Sequence, residues 1–179
     1  MAIAAVSLLA FMLVGRADGA QRAAQTYLAP DSVCSSASDR AAAPEVQARA
    51  IACLVNWARS QDQRGRLVPR SKLQHAAVLK GERVAACGQF SHTPCGSAVT
   101  SGVDAAGYRY ATFGENLYAG TWGQVSARDV VLAWLLSPPH RANILSPKFH
   151  DVGAASVRAN GLLGGSDAVV WTATFGTRR

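Results

Sequence analysis

Apolar positions recur at helical spacing in three stretches, near residues 46–57, 73–87 and 130–135, and crowd into two β-branched runs after residue 150. Pro44 suits the first position of a helix. Val46, Ala50, Cys53, Leu54 and Trp57 then form one apolar stripe over about 15 residues. Cys53 lies on that stripe and is expected to face the core. Gln61–Arg70 is a polar loop containing Gly65. Ser71 reads as an N-cap, and Leu73, Ala76, Ala77, Val84 and Cys87 mark a second helix that Gly88 ends. Gly81 in its middle costs about 1 kcal/mol against Ala, which calls for a close neighbour there or a helix weakened at that point.

Cys87–Gly96 is a compact loop, and Val99–Ala106 a short helix stopped by Gly107. Ser126-x-x-Asp129 has the capping-box pattern and opens a third helix with Val130, Val131, Trp134 and Leu135 inside. Pro138-Pro139 ends it. Val152–Val157 and Ala168–Thr174 read as strands, joined by the glycine-rich loop Asn160–Asp167. No internal repeat is present. Helices first and paired strands last predict an α+β fold with an antiparallel sheet.

Met1–Val14 is apolar except for Ser7, and Arg16, Asp18 and Gln21 stop the run. A bilayer-spanning helix needs roughly 20 residues, so the segment matches a signal-peptide core, with Ala17 and Gly19 offering a cleavage step. Basic residues before the core are missing, which keeps an uncleaved N-terminal anchor as the competing reading. The expected organisation is a signal segment or anchor over 1–19, a linker over 20–43 tied down at Cys34, and one folded domain over 44–179. No other stretch is apolar for long enough to span a membrane.

Four cysteines behind an export signal, Cys34, Cys53, Cys87 and Cys95, indicate two disulfides in an oxidising compartment. A Cys87–Cys95 pair would close a short ring around His92 and leave Cys34 with Cys53, although spacing alone allows three connectivities. The net charge of +7 comes from fifteen arginines and three lysines against eleven acids. These arginines are scattered and no basic run interleaves with aromatics, so the charge reads as a solvated basic surface and gives no support to nucleic-acid binding.

Histidine and glutamate are scarce: His75, His92, His140 and His150, with Glu45, Glu82 and Glu115. His92 ends Phe90-Ser91-His92 inside the Cys87–Cys95 loop. Glu115 is the lone acid of Gly114-Glu115-Asn116, and His140 follows the double proline. Taken singly, each has an ordinary structural explanation: a loop cap, a bond to backbone amides, a helix terminus.

Together with Ala106-Gly107-Tyr108, Trp134, Ser137-Pro138-x-His140-Arg141-Ala142-Asn143, Phe149-x-Asp151-Val152-Gly153 and Trp171-Thr172-x-x-Phe175-Gly176, these motifs arrive in one order. Over Val46–Gly176 the chain resembles the bacterial, SCP-like branch of the CAP superfamily of cysteine-rich secretory, antigen 5 and pathogenesis-related proteins. The resemblance implies an α-β-α sandwich with a central antiparallel sheet. It also implies a cavity lined by two histidines and two acids, in which some relatives bind a divalent metal. His92 and Glu115 match two of these positions, and His140 matches a third, although Pro139 replaces the usual glycine. Asp151 stands where bacterial relatives carry an acid, and so is expected as the fourth.

Two imidazoles and a carboxylate, His92, His140 and Glu115, are a reasonable Zn²⁺ donor set. A metal-dependent extracellular hydrolase is therefore one reading. Against it, no H-E-x-x-H helix and no Gly-x-Ser-x-Gly turn is present, and Ser91 is merely adjacent to His92. The preferred reading is a non-enzymatic extracellular binding module, with a lipid, a wall polymer or a protein surface as its ligand and no obligatory cofactor. Tyr108, Tyr110, Tyr118 and Trp122 flank Glu115 and either wall such a cleft or fill the core. Trp57, Trp134 and Trp171 are expected in the core. A wall-associated structural protein is the third reading.

Overall fold

The computed structural model describes residues 19–164 and 167–179. Most of the segment expected to direct export lies outside the described residues. Helix α1 spans Pro44–Gln61, with proline in its first turn as expected. Strand β1 is only Val68–Pro69. Helix α2 runs Ser71–Cys87 and ends at Gly88, whose left-handed φ of 60° lets its N–H return to the last turn. A short helix α3, Ser101–Ala105, precedes β2, Tyr110–Thr121. Helices α4, Ala127–Leu136, and α5, Pro138–Leu145, follow, then β3, Asp151–Arg158, and β4, Ala168–Arg178. No helix of the described residues is long and apolar enough to cross a membrane.

The sheet has the order β1-β3-β4-β2. Both long pairings are antiparallel, and β1 pairs in parallel with β3 at Val68↔Asp151 and Pro69↔Val152. Alternation along β4 sorts the two layers. Val169, Trp171, Ala173 and Phe175 join the cluster formed with Ile51 and Leu54 of α1 and Val130, Val131 and Trp134 of α4. Val170 packs with Val84 of α2, and Thr174 Oγ1 donates to the Leu73 carbonyl of α2 at 2.8 Å. The result is the expected α-β-α sandwich. Both disulfides pair as expected, Cys34 with Cys53 and Cys87 with Cys95.

Several local expectations change. Ser71 does not cap α2. Arg70 holds that position in an extended conformation (φ −127°, ψ 126°), because its N–H is committed to the Val152 carbonyl across the sheet. The double proline ends α4 but also opens α5, where its missing N–H groups cost nothing. Residues 20–43, expected as a linker, are packed: Ala24, Ala29, Cys34, Ala37 and Ala42 are buried, and small side chains give no periodic signal. Strand β2 was not expected, because Gly114 and Gly120 interrupt its pattern. A Cβ on Gly114 would lie 2.6 Å from the Phe149 ring, so the glycine is where an aromatic meets the strand. Gly81 has the close neighbour its cost calls for, since a Cβ there would sit 2.7 Å from Val157 Cγ2.

Candidate functional site

Glu115 lies on β2 opposite Thr174, on the sheet face that α2 covers. Its side chain is 3% exposed, so its charge needs partners. Two converge on one oxygen. Lys80 Nζ of α2 stands 3.3 Å from Oε1 and is itself 2% exposed, and His92 Nδ1 lies 2.7 Å from the same Oε1. Lys80 Nζ also donates to the carbonyls of His92 (2.6 Å) and Val99 (3.3 Å). One ammonium thereby clamps both the carboxylate and the disulfide-closed loop that carries His92. The His92 side chain is about half exposed (49%), so the pair has a buried end and an open end.

Helix α5 lies beside this pair, at the free edge of β2. Asn143 Nδ2 donates to the Glu115 carbonyl (3.1 Å) and to Asn116 Oδ1 (2.9 Å). Asn116 Nδ2 donates to the His140 carbonyl (3.0 Å). These bonds dock the first turn of α5 beside Glu115. The His140 ring is partly buried; burial first, and the neighbouring His92 second, push its pKa below the ordinary histidine value. His92, Glu115 and His140 thus gather at one sheet edge, with Asn116 and Asn143 as the fastening.

Asp151 takes a different place, and the expectation that it supplies a fourth group is corrected. It begins β3, opposite Gly176, whereas Glu115 reaches β3 through Thr174 at Gly153. Its buried carboxylate accepts from Arg70 Nε (2.9 Å) and Tyr108 Oη (2.8 Å) and lies 3.3 Å from Arg178 Nε. That set ties α2, the α3–β2 connection and β4 together, and it raises the Tyr108 pKa through burial and the adjacent carboxylate.

The donor chemistry does not fit a metal ion. One oxygen of Glu115 is shared by an imidazole and an ammonium, and that ammonium stands where a cation would. Among the described residues no three His, Cys, Asp or Glu side chains form a group able to hold one. Ser91 Oγ is bonded within the loop, accepting from the Thr93 N–H (3.0 Å), and makes no hydrogen bond to His92.

Lys80 and the two asparagines were missed as functional residues. The signal for Lys80 was its position: it shares the stripe of Leu73, Ala77 and Val84, where a lysine must find an anionic or carbonyl partner. The flanking aromatics pack elsewhere. Tyr108 and Tyr110 pack with Leu73 and Val103, Tyr118 packs edge-on to Trp171, and Trp122 lies under the Arg158 guanidinium. Trp134 and Trp171 are buried and Trp57 packs against the same core.

A three-layer sandwich with a histidine–glutamate pair at its sheet edge defines a class, and comparison identifies it. The profile of the cysteine-rich secretory protein (CAP) family matches residues 53–175, and the chain belongs to that family. It is 36% identical over 69 residues to the uncharacterized protein YkwD of Bacillus subtilis (strain 168), a match covering 38% of this chain and 23% of that protein. An extracellular SCP-domain protein of Bacillus anthracis superposes with a TM-score of 0.63 at 20% identity, over 76% of this chain and 41% of that one. An outer surface protein of Borrelia burgdorferi gives 0.62 at 17% identity, over 72% and 90%. A cysteine-rich secretory protein of Staphylococcus aureus gives 0.58 at 17%, over 74% and 38%. The chain therefore spans less than half the length of several of the proteins it matches.

Proposed function

We propose that the chain is an extracellular binding module that recognises a polar wall polymer at the mouth formed by His92, Glu115 and His140. The observation that carries this reading is the half-exposed His92 ring, held through Nδ1 by a buried carboxylate that Lys80 neutralises. A fixed Nδ1 leaves Nε2 as an acceptor in the neutral ring and a donor in the protonated one. Such a group suits hydroxyl, amide or carboxylate partners. An apolar lipid would need apolar walls, and Tyr108, Tyr110, Tyr118 and Trp122 pack against core clusters, leaving Phe90 as the exposed aromatic of the His92 loop. Export is supported by the two disulfides and by the extracellular and surface proteins that share the fold.

The hydrolase reading is weaker on chemical grounds. Lys80 opposes a dication at Glu115. The test is sedimentation with purified peptidoglycan sacculi. Wild type should bind saturably, and His92→Ala or His140→Ala should weaken binding about tenfold, the loss of one good hydrogen bond to a charged or polar ligand. Wild-type affinity in both variants, or no binding by wild type, contradicts the proposal.

A further inference from the structure

A second feature lies at the opposite edge of the sheet. The outer edge of β3 is covered by β1 only at Asp151 and Val152. Arg70 N–H donates to the Val152 carbonyl (2.9 Å), so Val152 turns its backbone groups towards β1. Strand alternation turns Ala154 the same way, past the end of β1, and among the described residues nothing pairs with it on that side. Beyond it, Ser156 Oγ donates to the Pro44 carbonyl (3.3 Å) and closes the edge.

A cleft of about 330 Å³ opens there between α1 and α2, with Val152, Gly153 and Ala154 on its floor. That is within the roughly 300–1,000 Å³ of ligand sites. Its rim carries Arg49, Arg66 and Arg70 and no acid. Arg49 and Arg66 are exposed, and among the described residues no ion pair or side-chain hydrogen bond engages either one, whereas Arg70 is held by Asp151. The wall is rigid. Asn56 clamps Leu67 through both backbone groups (3.0 and 2.7 Å), and Arg59 donates to the Gly65 carbonyl.

We infer that this cleft binds a short, extended, acidic peptide segment of another protein, which adds to the free edge of β3 at Ala154 and places carboxylates on Arg49 and Arg66. The unpaired N–H and C=O of Ala154, on the cleft lining, select a peptide backbone. Two free guanidiniums select carboxylate side chains, which they pair bidentately. The site is separate from the His92 mouth and does not depend on how that mouth is used.

The test uses the full chain and the peptide acetyl-Glu-Val-Glu-Val-Glu-amide, with its all-Lys counterpart, an alternately N-methylated version and inorganic phosphate as comparators. The acidic peptide should bind, shift the Ala154 amide resonance and slow its exchange. N-methylation should weaken it, and Arg49→Glu and Arg66→Glu should each weaken it about tenfold. Both arginines are unpaired, so unchanged melting of these variants separates loss of binding from loss of fold; Arg49→Lys should retain part of the affinity. Failure of the acidic peptide to bind overturns the inference. So does binding insensitive to N-methylation and fully displaced by phosphate, which would leave an anion site only.

Discussion

Lys80 and Glu115 form a buried ion pair, 3.3 Å apart, between α2 and the edge strand β2, and the His92 imidazole closes on the same carboxylate oxygen. A buried pair is costly to break from one side, because the remaining charge is left in a poorly solvating interior. Lys80→Met is therefore expected to cost about 3 kcal/mol of unfolding free energy, the lower end for orphaned buried charges, since His92 still contacts Glu115. The double variant Lys80→Met/Glu115→Leu should recover much of that loss. Denaturant unfolding measures both, and an undamaged single variant would show that the pair does not exist as described.

His140 makes stability depend on pH. Its folded pKa lies below the ordinary value of 6.5, so between the two values the unfolded chain binds more protons. The contribution is fully present above about pH 6.5 and is lost as pH falls through the folded value. Replacing it by Gln should flatten the fall in melting temperature on the acid side of pH 6.5. An unchanged profile would place the His140 ring in water.

The ring closed by Cys87 and Cys95 is short, and it holds His92 against Glu115. Removing the bridge by a double Ala variant should cost about 2.6 kcal/mol in the chain-entropy account of a nine-residue loop. It should also reduce peptidoglycan binding beyond what the stability loss explains. Wild-type binding by a folded double variant would show that Lys80 alone positions the loop.

Gly81 sits in mid-helix, where Ala would ordinarily add about 1 kcal/mol. Here the added methyl meets Val157 at 2.7 Å, so Gly81→Ala is expected to destabilise by about 1–3 kcal/mol. Pairing it with Val157→Ala should relieve the clash only in part, because the Val157 Cβ, which alanine keeps, lies 2.8 Å from the added methyl. A stabilised single variant would mean that α2 and β3 lie further apart.

Much of this architecture is written in local patterns. The stripes of α1, α2 and α4 and the Ser126–Asp129 capping box are periodic or chemically specific, and the structure keeps them. What escaped depends on contacts distant in sequence. Strand β2 was hidden because Gly114 and Gly120 are where Phe149 and Val125 come in, and glycine carries no strand signal. The site was legible through His92, Glu115 and His140, whose residue types are rare in this chain. Lys80 was not, because its partners are 12, 19 and 35 residues away. Asp151 was misassigned for the same reason: its role follows from Arg70, Tyr108 and Arg178, which only the sheet brings to it.

The four histidines provide the most direct test of the proposed recognition site. Their ring ¹⁵N resonances can be followed while solubilised peptidoglycan fragments are added to the full chain. His92 and His140 should shift together and saturate, while His75, exposed on α2, and His150, bonded to Thr177 (3.1 Å), stay in place. Fragments that leave His92 and His140 unmoved, or that shift all four alike, would contradict the account.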